Sequence, residues 1–215
     1  MVNNIFNNYL KWDRHFFHFI AGSFAPLIGF LINWNLAIII TSISFFLLCI
    51  FEILRFKYLK INILVINSLS LLLKNKEKRK ITAATQLAFT SLLILLLFYS
   101  QPVIGGLALL YISIGDPIAA IVGIKFGKTV LFRGSGTIKT PQNGKTIEGT
   151  IAFASVALFL AYLIWSKGAY ENFFAAALGA LAAALVEFLP IPIDDNISVP
   201  LISGFVMYFF WNFSF

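Results

Sequence analysis

The chain has 215 residues, of which 60% are hydrophobic and only 12% charged, with a formal net charge of +7. A soluble domain usually carries about 25% charged residues, so this composition excludes an ordinary soluble domain and predicts one integral membrane domain over 1–215, with no room for a sizeable soluble one. A positive balance can signal nucleic acid, but in so apolar a chain it reports loops facing anionic lipid. The single cysteine, Cys49, excludes an intrachain disulfide and says nothing about compartment.

Apolar runs fall at about 16–32, 36–51, 61–73, 82–98, 102–124, 149–165, 173–189 and 199–213. A span needs roughly 20 apolar residues, about 17 at the least. The first run follows a mixed-charge start, "KWDRHFFH", and lacks an A-x-A site, so it reads as a span and not as a cleaved signal. His15 and His18 share one face there. Without a carboxylate or Cys beside them they suit structural or headgroup contact better than zinc. In "FEILR", Glu52 and Arg55 stand three apart on one helical face and can pair, which reads first as a helix-end ion pair.

The run 61–73, "INILVINSLSLLL", is short and holds Asn62, Asn67, Ser68 and Ser70. It is expected to lie in the interface. With the N-terminus cytoplasmic, all 16 Lys and Arg except Lys167 then fall inside, as the positive-inside rule prefers. The expected architecture is therefore all-α and polytopic, with about seven transmembrane helices and one interfacial helix.

The stretch "ISIGDPIAAIVGIKFGK", 112–128, sets a carboxylate and a proline inside an apolar run. Gly115 can break the incoming helix, Asp116 can cap a new one, and Pro117 suits its first position. The sequence thus predicts a helix broken at Gly115–Pro117, with a second segment to about Phe126 and Gly127 as its stop. Such a break is tolerated only beside a protein-enclosed or wet cavity. Its free N–H groups would suit an anion, while Asp116 could instead hold Mg²⁺. A plain capped kink is the competing reading. Ala119, Gly123 and Gly127 recur every four residues and would let another helix approach closely.

The one long loop, about 125–148, is rich in Gly, Thr and Lys. Its end, "NGKTIEGT", offers Lys145 after Gly144, then Thr146 and Glu148, a chemistry suited to phosphate. It is no Walker A loop, because Lys139 stands where that pattern needs Gly, and no strand is expected before it. In "VEFLPIPIDDNISVPLISG", 186–204, Glu187 precedes a Pro-rich turn and then Asp194, Asp195 and Asn196. The Asp-Asp-Asn run could cap a helix or hold a divalent cation. Asp116, Glu148, Glu187, Asp194, Asp195 and Glu52 all fall at the expected cytoplasmic ends of spans. One such acid would read as a snorkelling helix end, but so many on one side beside a basic loop point to a shared site.

In order along the chain, "RHFFHFIAG", "FEILR", "GDPIAAIVGIKFGK", "GKTIEGT" and "VEFLPIPIDDNISVPLISG" resemble the membrane family of CTP-dependent isoprenoid-alcohol kinases. That family includes dolichol kinase and phytol kinase, is related to CTP-dependent diacylglycerol kinase, and is distantly grouped with CDP-diacylglycerol synthases. Pro117 departs from the Ser, Thr or Ala expected after Gly-Asp, and the basic loop between Gly127 and Gly144 matches only in character. The resemblance implies transfer of the γ-phosphoryl of CTP to the hydroxyl of a membrane-embedded prenyl alcohol. It implies Mg²⁺ on Asp116 and Asp195, with Glu148 or Glu187 assisting. Gly115, Lys125, Lys128, Gly144, Lys145, Thr146 and Asn196 would bind the nucleotide. Asp116, Lys145, Glu148 and Asp195 would carry the chemistry, with Asp116 favoured to take the alcohol's proton. His18, Glu52 and Arg55 would order the site or the alcohol's head. CTP over another nucleotide rests on the resemblance alone.

Two rivals use overlapping features. A cytidylyltransferase making a CDP-lipid needs a similar acid, metal and basic set but releases pyrophosphate. A transporter of an anionic solute would use the broken helix and would be expected to show inverted repeats, which this sequence lacks.

Overall fold

The computed structural model describes residues 12–68, 81–133 and 144–211. These form eight helices and one short hairpin, in the order α1 (Trp12–Leu31), α2 (Trp34–Lys57), α3 (Leu59–Ser68), α4 (Ala83–Leu97), α5 (Pro102–Phe126), β1 (Val130–Arg133), β2 (Gly144–Thr146), α6 (Ile147–Ser166), α7 (Phe173–Phe188) and α8 (Asp195–Phe210). The described residues are thus all-helical apart from the hairpin. Residues 69–73 of the expected interfacial run, the basic stretch 74–80 and loop positions 134–143 lie outside the described residues.

Three helices, α2, α5 and α6, are long and apolar enough to cross a membrane by length and composition. Four shorter apolar helices stand beside them, within α1 and in α4, α7 and α8. Seven spans would need these four to cross as well. The membrane character shows in what the helices expose. Ile39, Ile43, Phe46, Ile50 and Ile53 of α2 all point outward, an arrangement that water would penalise and acyl chains would not.

The centre of the bundle is α5. Its residues from Ile104 to Ser113 are all buried, and it packs against α1, α6 and α8. Helix α7 reads "FFAAALGALAAALVEF", with Ala175, Gly179 and Ala183 on one buried row and Ala176, Ala180 and Ala184 on the next. Small residues at four-residue intervals let backbones approach closely where no hydrophobic force acts between helices. On those rows α7 meets α6 and α8. At its far end Asn172 caps α7, accepting from Ala175 N–H at 2.9 Å. Its Nδ2 also donates to the carbonyls of Phe210 and Trp211, so one side chain joins the start of α7 to the end of α8.

The four-residue row at Ala119, Gly123 and Gly127 is where α6 makes its close approach. A Cβ on Gly149 would stand 2.8 Å from the Ala119 carbonyl oxygen, and one on Gly123 would stand 2.8 Å from Thr146 Oγ1. A side chain at Gly149 would press on the α5 backbone, and one at Gly123 would displace the Thr146 hydroxyl.

Two expectations are corrected. The first is the break at Gly115–Pro117: α5 runs unbroken from Pro102 to Phe126, with Pro117 inside it. Asp116 is therefore a mid-helix residue and not a cap. The physical reason is that a new start at Asp116 would leave four N–H groups without partners, whereas one interior proline removes only one donor. The expected stop does hold, since Gly127 is the C-cap, with extended backbone. The second concerns the loop before "GKT". Gly144–Thr146 is itself a strand, paired antiparallel with Val130–Arg133 so that Val130 faces Thr146 and Arg133 faces Gly144.

Candidate functional site

Where α7 finishes and α8 begins, beside Asp116 of α5 and the strand that leads into α6, a cavity of about 290 Å³ opens. Asp116, Lys145, Asp194, Asp195 and Asn196 supply its polar wall, and the turn from Leu189 to Ile193 supplies an apolar rim. Four separate segments contribute.

Lys145 is carried by β2, whose pairing with β1 sets its direction. Its Nζ donates to Asp195 Oδ2 at 2.9 Å and stands 3.5 Å from Glu187 Oε1. Glu187 lies in the last turn of α7 and is almost wholly buried. One ammonium thus joins the end of α7 to the start of α8. Asp194 and Asp195 differ in what they bind. Asp194 is the N-cap of α8, accepting from Asn196 N–H at 3.0 Å. Asp195, one residue on, turns to Lys145. The intervening turn carries Pro190 and Pro192, which restrict its backbone and hold Glu187 and Asp195 within reach of one cation.

Asp116 and Asp195 therefore line this cavity, and Asp195 and Glu187 share the ammonium of Lys145. Asp116 makes no ion pair among the described residues. Such an acid excess in a partly desolvated site attracts cations or the metal complex of an anion.

Several expected residues lie elsewhere. Glu148 does not line the cavity. In the first turn of α6, its Oε1 accepts the backbone N–H of Lys128 at 3.0 Å, just before β1. This contact ties the start of α6 to the entry of the hairpin. Among the described residues no three His, Cys, Asp or Glu side chains converge closely enough to hold a metal ion. Thr146 is buried, caps α6 by accepting from Gly149 N–H at 3.1 Å, and does not face the cavity. Gly115 packs under Phe153, where a Cβ would come within 2.7 Å of the ring. Gly144 sits in β2 opposite Arg133. Lys125 is exposed beside the Phe126 ring, and the Lys128 side chain is also exposed.

His18, on α1, and Glu52 and Arg55, on α2, do not line the cavity either. Glu52 and Arg55 form a buried ion pair of 2.7 Å, and Glu52 Oε1 also accepts from Thr82 N–H at 2.8 Å and from Thr85 Oγ1. This pair fastens α2 to the start of α4.

Sequence reasoning missed the apolar rim at Leu189–Ile193 and the hairpin. "VLFR", a β-branched and aromatic run ahead of a Gly-containing stretch, was the available signal for β1.

Comparison with known proteins gives this arrangement a context. An uncharacterized protein of Rickettsia prowazekii is 31% identical over 197 residues, covering 87% of this chain and 88% of that protein. The chain belongs to the same family as that protein. A Triticum aestivum protein named "Probable phytol kinase, chloroplastic" is 37% identical over 130 residues, covering 54% of this chain. An Oryza sativa protein named "Probable phytol kinase 1, chloroplastic" is 32% identical over 126 residues, covering 55% of this chain. The aligned regions span only 40% and 39% of those two plant proteins. The likeness supports a related kinase family for this chain. No family model matches the chain, and no solved structure matches it.

Proposed function

We propose that the protein is a membrane lipid kinase that transfers the γ-phosphate of CTP to the hydroxyl of a polyprenol-type alcohol. The observation that carries this reading is the meeting of Asp116, Lys145 and Asp195, from three segments far apart in the chain, around one cavity with an apolar rim. The likeness to proteins named as phytol kinases supports it. In this reading seven helices cross the bilayer and the cavity opens on the cytoplasmic side, where soluble nucleotide meets a lipid head.

Phosphoryl transfer asks for in-line positioning and neutralised phosphate charge more than for covalent chemistry. Lys145 offsets phosphate charge from the hairpin side. Asn196, at the start of α8, gives the donor a hydrogen-bond partner. The apolar rim at Leu189–Ile193 receives the first carbons of the alcohol, bringing its hydroxyl to Asp116. That carboxylate has no ammonium partner among the described residues, so one of its oxygens remains to take the alcohol's proton.

The donor set also fits Mg²⁺. That ion commonly binds through one or two carboxylates together with water and substrate phosphates, and needs no all-protein cage. Asp116 and Asp195 would hold it, and when bound it would neutralise the phosphate oxygens. The transporter reading loses its main support, because the broken helix it relied on is a continuous α5.

The test uses purified protein with Mg²⁺, γ-labelled CTP and a panel of prenyl alcohols plus diacylglycerol. Label should enter one lipid class and vanish in Asp116→Asn. No lipid label with any nucleotide would overturn the kinase. Pyrophosphate release from CTP and a lipid phosphate would replace it with a cytidylyltransferase.

A further inference from the structure

Lys145 engages a carboxylate oxygen that a divalent cation on Asp195 would also use. Its Nζ lies 2.9 Å from Asp195 Oδ2 and 3.5 Å from Glu187 Oε1, and only 27% of its side chain is exposed. A Mg²⁺ ion on the same oxygen would sit about 2.1 Å from it. Ammonium and dication would then be close neighbours in a partly desolvated cavity, where like charges repel far more strongly than in water.

Resting on the kinase reading above, we infer that Lys145 is a counter-ion that keeps free divalent cations off Asp195 until a phosphate-bearing substrate arrives with one. The asymmetry of its two contacts suits a hand-over. The phosphate draws the ammonium away from half-buried Asp195. Buried Glu187, at the longer distance, keeps it tethered nearby. Asp195 is then free to accept the cation that the phosphate carries, and Asp116 on the same wall offers a second carboxylate. Asp195 and Asp116 would thus hold a divalent cation only together with the phosphate. Lys145 thereby acts twice: it balances Asp195 and Glu187 in the empty site and the phosphate in the filled one.

The experiment is a titration with Mn²⁺ alone, followed by electron paramagnetic resonance, on the full chain in detergent without nucleotide or lipid. Lys145→Gln should bind one Mn²⁺ at least about tenfold more tightly than wild type, a gain of about 1.4 kcal/mol. Lys145→Arg, which keeps the cation, should behave as wild type. The double variant Lys145→Gln/Asp195→Asn should lose the gain. Lys145→Met, with a stem of similar length, repeats the test should the glutamine variant fold poorly, as judged by its melting transition. Equal Mn²⁺ affinity in wild type and in folded neutral variants would overturn the role, as would a gain that survives Asp195→Asn. Because no turnover is read, a silent kinase assay beside the expected Mn²⁺ pattern would sink the kinase reading alone. The reverse result would sink the counter-ion alone.

Discussion

Lys145 and Asp195 are 50 residues apart in sequence and 2.9 Å apart in space. The contact joins a two-stranded hairpin to the first turn of α8 and closes one wall of the candidate site. If the two act as one unit in turnover, their effects cannot add. Lys145→Ala and Asp195→Asn should each lower kcat for lipid phosphorylation by about 10²–10³-fold, the range seen when one charge-stabilising group is removed. The double variant should be little worse than the poorer single one. Rates measured with labelled donor across the four-protein cycle check this. Multiplied losses would mean that the two residues act independently.

Glu148 offers a contrast, because its carboxylate serves the backbone at Lys128 and not the cavity. Glu148→Gln keeps an oxygen acceptor for that N–H and should retain activity to within a few fold. Glu148→Ala leaves that exposed N–H to water and loosens the hairpin that aims Lys145. Its melting temperature and kcat should fall together. Activity abolished by the glutamine variant, with unchanged melting, would instead place Glu148 in the chemistry.

The Glu52–Arg55 pair is buried where α2 meets the start of α4. Arg55 is wholly buried and Glu52 nearly so. Removing one partner of a buried pair strands the other charge and commonly costs about 3–5 kcal/mol. Glu52→Ala should therefore melt well below wild type in detergent. Glu52→Met combined with Arg55→Met should recover much of the loss, because neither charge is left alone. Turnover per folded molecule in the double variant separates this role from a direct part in ordering the substrate. Normal turnover there would confine the pair to stability.

Much was legible before any coordinates. The apolar runs reported a helical membrane chain because a bilayer demands long, internally bonded segments. The row Ala119, Gly123, Gly127 announced a close helix crossing, and α6 occupies it. The pairing of Glu52 with Arg55 followed from spacing on one helix, since local geometry decides it.

What the sequence could not separate were alternatives equal in local chemistry. Asp116–Pro117 has the residues of a helix start, and only packing around α5 decided that the helix continues through them. Asp194 and Asp195 were interchangeable as the helix cap until the fold made Asp194 the cap and brought Lys145 beside Asp195. Glu148 was one more carboxylate in an acidic set until the hairpin supplied the N–H of Lys128 as its partner. By itself the sequence determined which segments are apolar and which residue types could carry charge chemistry, because periodicity and composition act over one or two helical turns. Which carboxylates face one cavity, and which are spent on the backbone, was decided by the tertiary structure, because those partners lie far apart in the chain and meet only when the helices pack.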